Sequence, residues 1–304
     1  MTDERRTFAG RFKVNGVFWR QFLRWAVLNV PMWLEPIIMA WWTGFFLLWG
    51  PGRRGVMRNL RAILPGSTAA GNFLRTYRVF WNFAWTIADH MRFQELRISP
   101  DWEFDGLENF QALEASKGGA IILTAHMGNY DLGAHLFATI SDRRIVMVRA
   151  PETDARTREW VEQHHDRTAT DGLNINFNTG AGELALELLE SLQRGDIIAI
   201  QGDRVTPGIG TLPAKLFGYA TEVPAGPFAL AMASGVPIFP LFIFRRGHRR
   251  YRLLVGKPFE VIRTRNRAES FDRAVTQWTA ELERAVRGAW FQWFTFQPYS
   301  KELG

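Results

Sequence analysis

The sequence of 304 residues contains no cysteine. This absence excludes disulfide frameworks, cysteine-ligated zinc, iron–sulfur clusters and thiol nucleophiles, and it permits a cytoplasmic setting. The sequence also lacks the G-x-S-x-G pattern that presents a serine nucleophile, and it has no apolar run of the roughly 20 residues that span a bilayer. No small-residue cleavage site follows the N-terminal apolar stretch, which argues against a signal peptide. We expect one large or two small globular domains.

Positive charge is concentrated at one end of the chain. Residues 1–100 carry 14 Arg and Lys against 5 Asp and Glu, whereas residues 101–304 carry 23 against 25. Six of the 13 Trp lie within residues 19–49. Cations together with amphipathic rings are typical of proteins that bind nucleic acid or an anionic membrane. Because these rings lie among Leu, Ile, Met and Val, we expect a membrane lipid surface as a partner and no nucleic acid.

The most apolar run is PIIMAWWTGFFLLWG, which covers the 15 residues Pro36–Gly50. It is too short to span a bilayer, and Pro31, Glu35 and Pro36 interrupt the apolar pattern that leads into it. We expect a helical hairpin that lies in the membrane interface or inserts halfway. The alternative is a buried core helix.

The hydrophobic pattern changes near Asp101. Before it, apolar residues recur at helical spacing, so we expect residues 1–100 to form a helical, membrane-associated segment. After it, strands alternate with helices, which indicates an α/β domain over residues 101–304 with a mixed, largely parallel sheet flanked by helices. We expect the last two strands to form an antiparallel hairpin on the edge of the sheet. The predicted strands are 120–125, 144–148, 173–177, 196–200, 236–244 and 251–256, and the predicted helices are about 130–140, 153–168, 181–194, 224–234 and 269–287.

A candidate acid–base pair follows the first predicted strand. The motif HMGNYD places His126 in the strand-to-helix turn and Asp131 in the first helical turn. We expect this carboxylate to reach the far ring nitrogen, fix the tautomer and stabilise the imidazolium once the other nitrogen takes a proton. Gly128 permits a close backbone approach, and we expect it and Asn129 to contact substrate beside a helix N-terminus suited to an oxyanion. The alternative is an ordinary loop histidine.

Seven segments follow one another from residue 28 to residue 294. They are LNVPMWLEP, GPGRRGVMRNLRAILPG, IILTAHMGNYD, DIIAIQGDR, KLFGYATEVPAGPFALA, SGVPIFPLF and WFQWF. In this order they resemble the lysophospholipid acyltransferase superfamily, and most of all its lipid A late (lauroyl/myristoyl) acyltransferase branch. The QGDR sequence departs from the acidic-Gln pattern usual in that branch, which bears on the acceptor more than on the reaction.

The resemblance implies roles for single residues. It places the H-x-x-x-x-D pair on His126 and Asp131 as catalytic residues, with His126 as the base. It also implies substrate contacts from Arg149 after the second strand, from the strand-end Asp203, and from Pro224 and Gly226 in a small-residue P-x-G block. We expect a further contact from Arg204, next to Asp203 at the same strand end. Open α/β sheets bind ligands at strand ends, where an arginine is suited to phosphate. For each arginine, the alternative is a surface ion pair.

The resemblance also implies an activity, which is O-acyl transfer at the cytoplasmic face of an inner membrane. The acyl chain moves from an acyl thioester, either acyl carrier protein or coenzyme A, to a hydroxyl of a lipid or glycolipid acceptor. No cofactor and no metal are expected. Because no serine or cysteine nucleophile is in place, direct transfer is expected. The alternatives are a non-catalytic membrane-binding or lipid-binding protein with a degenerate site, and a nucleotide-dependent oxidoreductase.

Three further motifs carry weaker signals. The G-x-G-x-x-A spacing in residues 180–185 mimics a dinucleotide fingerprint, although a helix start explains it as well. The cluster His164–Asp166 diverges on a helix, so we expect a solvated face and no metal site. The turn RRGHRRYR, Arg245–Arg252, contains five Arg and is either a solvated hairpin tip or a contact for anionic headgroups or an acidic carrier protein.

Overall fold

The computed structural model describes residues 17–50, 52–116, 118–149, 172–177 and 183–304. Helices dominate the first third, as the apolar periodicity predicted: α1 (Val17–Asn29), α2 (Glu35–Trp49), α3 (Arg53–Ile63) and α4 (Ala69–Leu96). Strands and helices then alternate in β1 (Asp101–Asp105), α5 (Leu107–Ala115), β2 (Ala120–Thr124), α6 (Tyr130–Ile140), β3 (Ile145–Arg149), β4 (Leu173–Phe177), α7 (Glu183–Gln193), β5 (Ile197–Gln201), β6 (Thr211–Leu216), β7 (Tyr219–Pro224), α8 (Gly226–Ser234), β8 (Ile238–Gly247), β9 (Arg250–Val255) and α9 (Arg267–Ala289). Single helical turns follow at Trp290–Gln292 and Lys301–Leu303.

The central sheet has the strand order β1-β9-β8-β2-β5-β3-β4 in the part of the chain that the structure describes. Neighbouring strands are parallel, except that β8 and β9 form an antiparallel hairpin. The predicted α/β class with a mixed, largely parallel sheet is therefore confirmed. A separate antiparallel hairpin consists of β6 and β7.

The predicted edge position of the β8–β9 hairpin is wrong, because β1 lies outside β9. The two strands pair in parallel from Asp101 opposite Arg250 to Asp105 opposite Leu254. The sequence of β1 is DWEFD, so it carries three carboxylates and none of its residues is buried. A search for apolar runs misses such a strand. The same holds for β6 and β7, which mix polar residues with apolar ones.

Helices cover both faces of the sheet, as the central strand β2 shows. All of its residues are buried. Ile121 and Leu123 pack into one core with residues of α7, α8 and α9, whereas Ala120 and Ile122 pack into another with residues of α5 and α6. Successive side chains of a strand point to opposite faces, which explains why this strand has a continuous apolar sequence.

The N-terminal helices share a core with the C-terminal segment. Phe80 of α4 is buried in one cluster with Phe294. In α3, the Nδ2 atom of Asn59 donates a hydrogen bond to the carbonyl oxygen of Thr295 at 2.9 Å. The helical region and the α/β region are thus joined by buried contacts, while the predicted division near residue 100 stays a prediction.

The first two helices bury one side and expose the other. Helix α2 has 15 residues and is about 22 Å long, shorter than the roughly 30 Å hydrocarbon core of a bilayer. None of the described helices combines the length and apolar character needed to cross a membrane. Only Glu35, Thr43 and Leu47 of α2 are buried, so α2 is not a buried core helix. The exposed side chains form what we call the N-terminal apolar surface: Phe22, Trp25, Leu28, Met32, Trp33, Ile37, Trp41, Leu48 and Trp49.

Candidate active site

His126 and Asp203 meet at the carboxyl ends of two neighbouring parallel strands. In the pairing of β2 with β5, Thr124 lies opposite Gln201. Each of the two site residues comes two positions after its strand ends. The distance between Nδ1 of His126 and Oδ1 of Asp203 is 2.7 Å. Register of the sheet therefore brings together two residues that are 77 positions apart.

Asp203 is buried and ionised. Its side chain is 0% exposed, and its Oδ2 accepts a hydrogen bond from Nε1 of Trp293 at 2.9 Å. Burial by itself raises the pKa of this carboxyl, but the charge and hydrogen bond of His126, with Arg204 and Trp293, hold the pKa well below its usual value. Because an ionised carboxylate only accepts hydrogen bonds, we assign the proton to Nδ1 of His126. Nε2 then carries the lone pair that can accept a proton.

Two further side chains lie against the His126 ring. Nε of Arg204 is 2.9 Å from the same Nδ1 atom. One nitrogen cannot donate to Asp203 and accept from Arg204 together, so the charge of Asp203, not a second hydrogen bond, holds Arg204 beside the ring. The ring of Tyr130 meets the imidazole edge to face, with 5.2 Å between the ring centroids.

The structure corrects the expected contact between Asp131 and the His126 ring. In the first turn of α6, Asp131 forms an ion pair with Nη2 of Arg149 at the end of β3. Because β5 lies between β2 and β3, the carboxylate beside His126 comes from the residue that follows β5. Burial raises the pKa of Asp131, but the charge and hydrogen bond of Arg149, together with the charges of His90 and His135, hold the pKa below its usual value.

Gly128 and Asn129 are engaged within the protein. The amide of Gly128 donates to the carbonyl oxygen of Gln292 at 3.0 Å, so it is not available to an oxyanion. Its φ of +55° lies in the left-handed region, and a Cβ there would collide with the carbonyl of Ile243. Asn129 is buried, caps α6 by accepting from the amide of Leu132, and donates from Nδ2 to other parts of the protein. Both residues therefore hold the loop in shape, and their contact with substrate stays a prediction.

The C-terminal segment fixes the loop that carries His126. The amide of Phe294 donates to the carbonyl oxygen of His126 at 2.9 Å, two residues from the bond between Gln292 and Gly128. Trp278 of α9 donates from Nε1 to the carbonyl oxygen of Gly202 at 2.9 Å and so fixes the residue before Asp203. No role was predicted for these residues, although the aromatic WFQWF segment was a signal in the sequence.

A chain of buried polar contacts runs from this loop to α2. Nδ2 of Asn129 lies 3.4 Å from the hydroxyl of Tyr251, which donates to Oδ2 of Asp89 at 2.7 Å. Asp89 pairs with Arg92 at 3.4 Å, and Arg92 pairs with Glu35. Burial and the charge of Asp89 raise the pKa of Tyr251 well above its usual value, so the hydroxyl keeps its proton and acts as a donor. The loop at the strand ends is thus connected to the helix that bears the N-terminal apolar surface.

Comparison with known proteins identifies the family to which the chain belongs. The bacterial lipid A biosynthesis acyltransferase family matches residues 18–302, which include the N-terminal helices, the His126 loop and the C-terminal segment. The chain belongs to this family. It is also 27% identical, over 212 residues, to a phosphatidylinositol mannoside acyltransferase of Mycolicibacterium smegmatis. The match covers 64% of each protein, so the chain spans about 64% of the length of that curated relative. The expected resemblance to lipid acyltransferases is confirmed.

The remaining predicted site residues of this acyltransferase-family chain lie elsewhere. Pro224 ends β7 and is buried, and Gly226 begins α8 and is exposed. The turn between them is bound to the β6–β7 hairpin through a hydrogen bond from the amide of Ala225 to the carbonyl oxygen of Gly210. Their contact with substrate stays a prediction. The predicted helix 153–168 with its cluster His164–Asp166, and the glycines of the dinucleotide-like motif, lie outside the described residues.

Proposed function

We propose that this member of the family transfers a fatty acyl chain from an acyl thioester to a hydroxyl of a lipid or glycolipid, with His126 as general base and Asp203 as its partner. The observation that carries the proposal is the 2.7 Å contact between Nδ1 of His126 and Oδ1 of Asp203 at the carboxyl edge of the sheet. Open α/β sheets place their ligand contacts at this edge. The family and the relative both bear names of lipid acyltransferases, which supports this reaction type.

The proposed step balances with the two substrates alone. Nε2 of His126 removes the proton of the acceptor hydroxyl while the hydroxyl oxygen attacks the carbonyl carbon of the thioester. A C–O bond forms, the C–S bond breaks, and the departing thiolate takes the proton from the imidazolium. Asp203 keeps the ring in the required tautomer and stabilises its positive charge during the step.

The donor and acceptor belong to the proposal. Acyl carrier protein or coenzyme A supplies the thioester, and the acceptor is a glycolipid, a class to which the substrate in the relative's name belongs. Arg204 is placed to bind a phosphate of one substrate, because its guanidinium already lies beside the His126 ring. Arg149 is a second candidate for such a contact, although its pairing with Asp131 must then be exchanged or shared.

An assay of the purified full chain with an acyl thioester and a glycolipid acceptor tests the reaction. We expect His126→Ala to lower kcat by about 10²–10⁴-fold, the usual contribution of a positioned general base. The melting temperature is measured alongside, because removal of the ring leaves the buried Asp203 carboxylate without its imidazole partner. His248→Ala is the matched control, since His248 is an exposed histidine in the β8–β9 turn. A His126→Ala protein that keeps most of its kcat would contradict the proposed base.

Membrane association is the second part of the proposal. The N-terminal apolar surface inserts shallowly at the cytoplasmic face of the inner membrane, and basic residues of α3 contact anionic headgroups. Arg54, Arg58 and Arg61 are all exposed, and their spacing places them on one face of α3. Each basic residue near an anionic surface contributes about 1 kcal/mol, and salt screens this contribution.

Flotation with vesicles tests the membrane contact without removing any helix. We expect the triple variant Arg54→Gln, Arg58→Gln and Arg61→Gln to bind anionic vesicles at least tenfold more weakly at low salt. A control with the same loss of charge replaces Arg263, Arg265 and Arg267, which are exposed ahead of and at the start of α9. Equal loss in the two triple variants would show that only net charge matters and would contradict a docking face at α3.

A further inference from the structure

Five arginines line a cavity that the proposed reaction does not use. The cavity has a volume of about 640 Å³, within the usual range for small-molecule sites. Arg245, Arg246 and Arg252 reach it from the β8–β9 hairpin, Arg78 from α4 and Arg284 from α9. No Asp or Glu is among the described residues that line it. The wall therefore combines cations from three elements that are distant in sequence.

Neighbouring carboxylates offset only part of this charge. Three of the arginines have an acidic partner beyond the lining, in the pairs Arg245–Asp89, Arg252–Asp105 and Arg284–Glu281. Within the part of the chain that the structure describes, Arg78 and Arg246 form no ion pair. The guanidinium of Arg78 lies 3.7 Å over the centre of the Phe291 ring instead. Like charges that share a cavity repel each other, and a bound anion would remove this cost.

We propose that this cavity binds the phosphate group of an anionic ligand, a phosphate ester carried either by a lipid headgroup or by a soluble molecule. Guanidinium groups present paired N–H donors that match the oxygens of carboxylate and phosphate, and several of them around one cavity favour phosphate because it carries more charge and more acceptor oxygens. The volume of the cavity fits a ligand of headgroup size, whereas the acidic surface of a carrier protein would need an array of cations spread over the surface.

The cavity adjoins the candidate active site without including it. Gln292 lines the cavity, and its side chain bonds in both directions to the backbone of Arg245, at 2.6 and 2.8 Å. The carbonyl of the same residue accepts the hydrogen bond from Gly128 in the His126 loop. A ligand held here lies beside that loop, while His126 and Asp203 are not part of the lining. Phosphate binding at this place does not depend on acyl transfer being the activity.

Calorimetric titration of the full chain in detergent with inorganic pyrophosphate tests the proposal. We expect saturable binding that weakens as salt rises, because the contacts are charged. Arg246→Gln should raise Kd about tenfold, the effect of losing one charge-assisted hydrogen bond. Arg250→Gln is the matched control, since Arg250 is exposed on the same hairpin but does not line the cavity. It should leave Kd unchanged.

Two results would overturn the proposal. One is the absence of saturable pyrophosphate binding to a chain whose melting temperature shows that it is folded. The other is an equal rise of Kd in Arg246→Gln and Arg250→Gln, because only the net charge would then matter. Arg284→Gln and Arg287→Gln, on one face of α9, provide a second pair, in which only Arg284 lines the cavity.

Competition identifies the source of the phosphate. Displacement of pyrophosphate by phosphatidylcholine vesicles that contain phosphatidylglycerol, but not by phosphatidylcholine alone, supports a lipid headgroup. Displacement by adenosine 3′,5′-bisphosphate, with no effect of either vesicle, supports a soluble phosphate ester. If neither competitor displaces pyrophosphate, the cavity holds an adventitious ion only and the proposal fails.

Discussion

Asp203 and Asp131 lie at the same edge of the sheet, and their partners differ. Asp203 contacts the imidazole of His126 and its side chain is 0% exposed, whereas Asp131 contacts the guanidinium of Arg149 and is 24% exposed. A carboxylate beside imidazole stabilises the protonated form of a group that gains and loses a proton. A carboxylate beside guanidinium balances a charge that never changes. Sequence spacing does not select between these arrangements, because strand order decides which side chains meet.

The largest effect that separates the two aspartates is expected from Asp203→Asn. An amide in this place no longer stabilises the imidazolium, and it can donate to Nδ1, which favours the wrong tautomer. In the acyl-transfer assay kcat should fall by about 10²–10⁴-fold, with a much smaller change of KM. The melting temperature of the variant is measured alongside, because Asp203 also accepts the bond from Trp293. A smaller loss of kcat in Asp203→Asn than in Asp131→Asn would reverse the comparison.

A second difference is that Asp131, unlike Asp203, lies near a histidine whose pKa is far below the usual value. His135 of α6 lies near Asp131, and burial, with the charges of His90 and Arg149, lowers its pKa to about 4. In the unfolded chain the pKa of a histidine is about 6.5. Between these pH values the unfolded chain binds a proton that the folded chain does not, so stability falls as pH falls. The free energy of unfolding should drop by about 2 kcal/mol between pH 6.5 and pH 5 from this residue.

Urea unfolding at pH 6.5 and pH 5 measures this contribution. In His135→Leu, the drop of about 2 kcal/mol in the free energy of unfolding that comes from this residue should disappear. The free energies of unfolding of the variant and the unmodified chain at pH 6.5 are compared separately. His248→Leu serves as the comparison: partial burial and the charge of Arg249 lower the pKa of His248 as well, so a smaller share of the acid sensitivity should disappear in this variant. An unchanged difference between the two pH values in His135→Leu would show that the side chain is protonated in the folded state.

The smallest effect is expected from Asp131→Asn. The pair with Arg149 is partly exposed, and ion pairs of this kind contribute at most about 1 kcal/mol to stability. If Asp131 has no contact with the reacting base, kcat should fall less than tenfold. Arg149→Lys, which keeps the charge but loses the planar fork, should have a similarly small effect on kcat. A thousandfold loss of kcat in Asp131→Asn would restore the pairing that its spacing from His126 predicted.

The order of strands and helices could be predicted where each element has its own apolar pattern. Strand β2 is buried on both faces, and its continuous apolar sequence was sufficient to predict it. Strand β1 could not be found in this way, because three of the five residues in DWEFD are charged and its place depends on pairing with β9. The edge position assigned to the hairpin was wrong for the same reason.

In the candidate site, too, local patterns could be predicted and contacts between distant segments could not. His126 could be predicted, since a histidine in a strand-to-helix turn is a local pattern. Its partner could not, because the contact with Asp203 requires knowledge that β5 lies directly beside β2. Asp203 was noted as a residue that follows a strand end, which gave its location but not its role. The hydrogen bond from the amide of Phe294 to the carbonyl oxygen of His126 likewise joins residues that are far apart in the sequence, so it could not be predicted either.

The buried chain from Asn129 through Tyr251, Asp89 and Arg92 to Glu35 has a consequence for how the molecule opens. Removing any one member leaves a charge or donor uncompensated in the interior, which is strongly unfavourable. The helices that carry the apolar surface and the loop that carries His126 are therefore expected to unfold as one cooperative unit. Amide hydrogen exchange should give α2, α4 and this loop a common protection. A shortened chain that begins after α2 would leave the buried Arg92 without the Glu35 carboxylate. Such a chain would therefore test folding before it tested membrane binding.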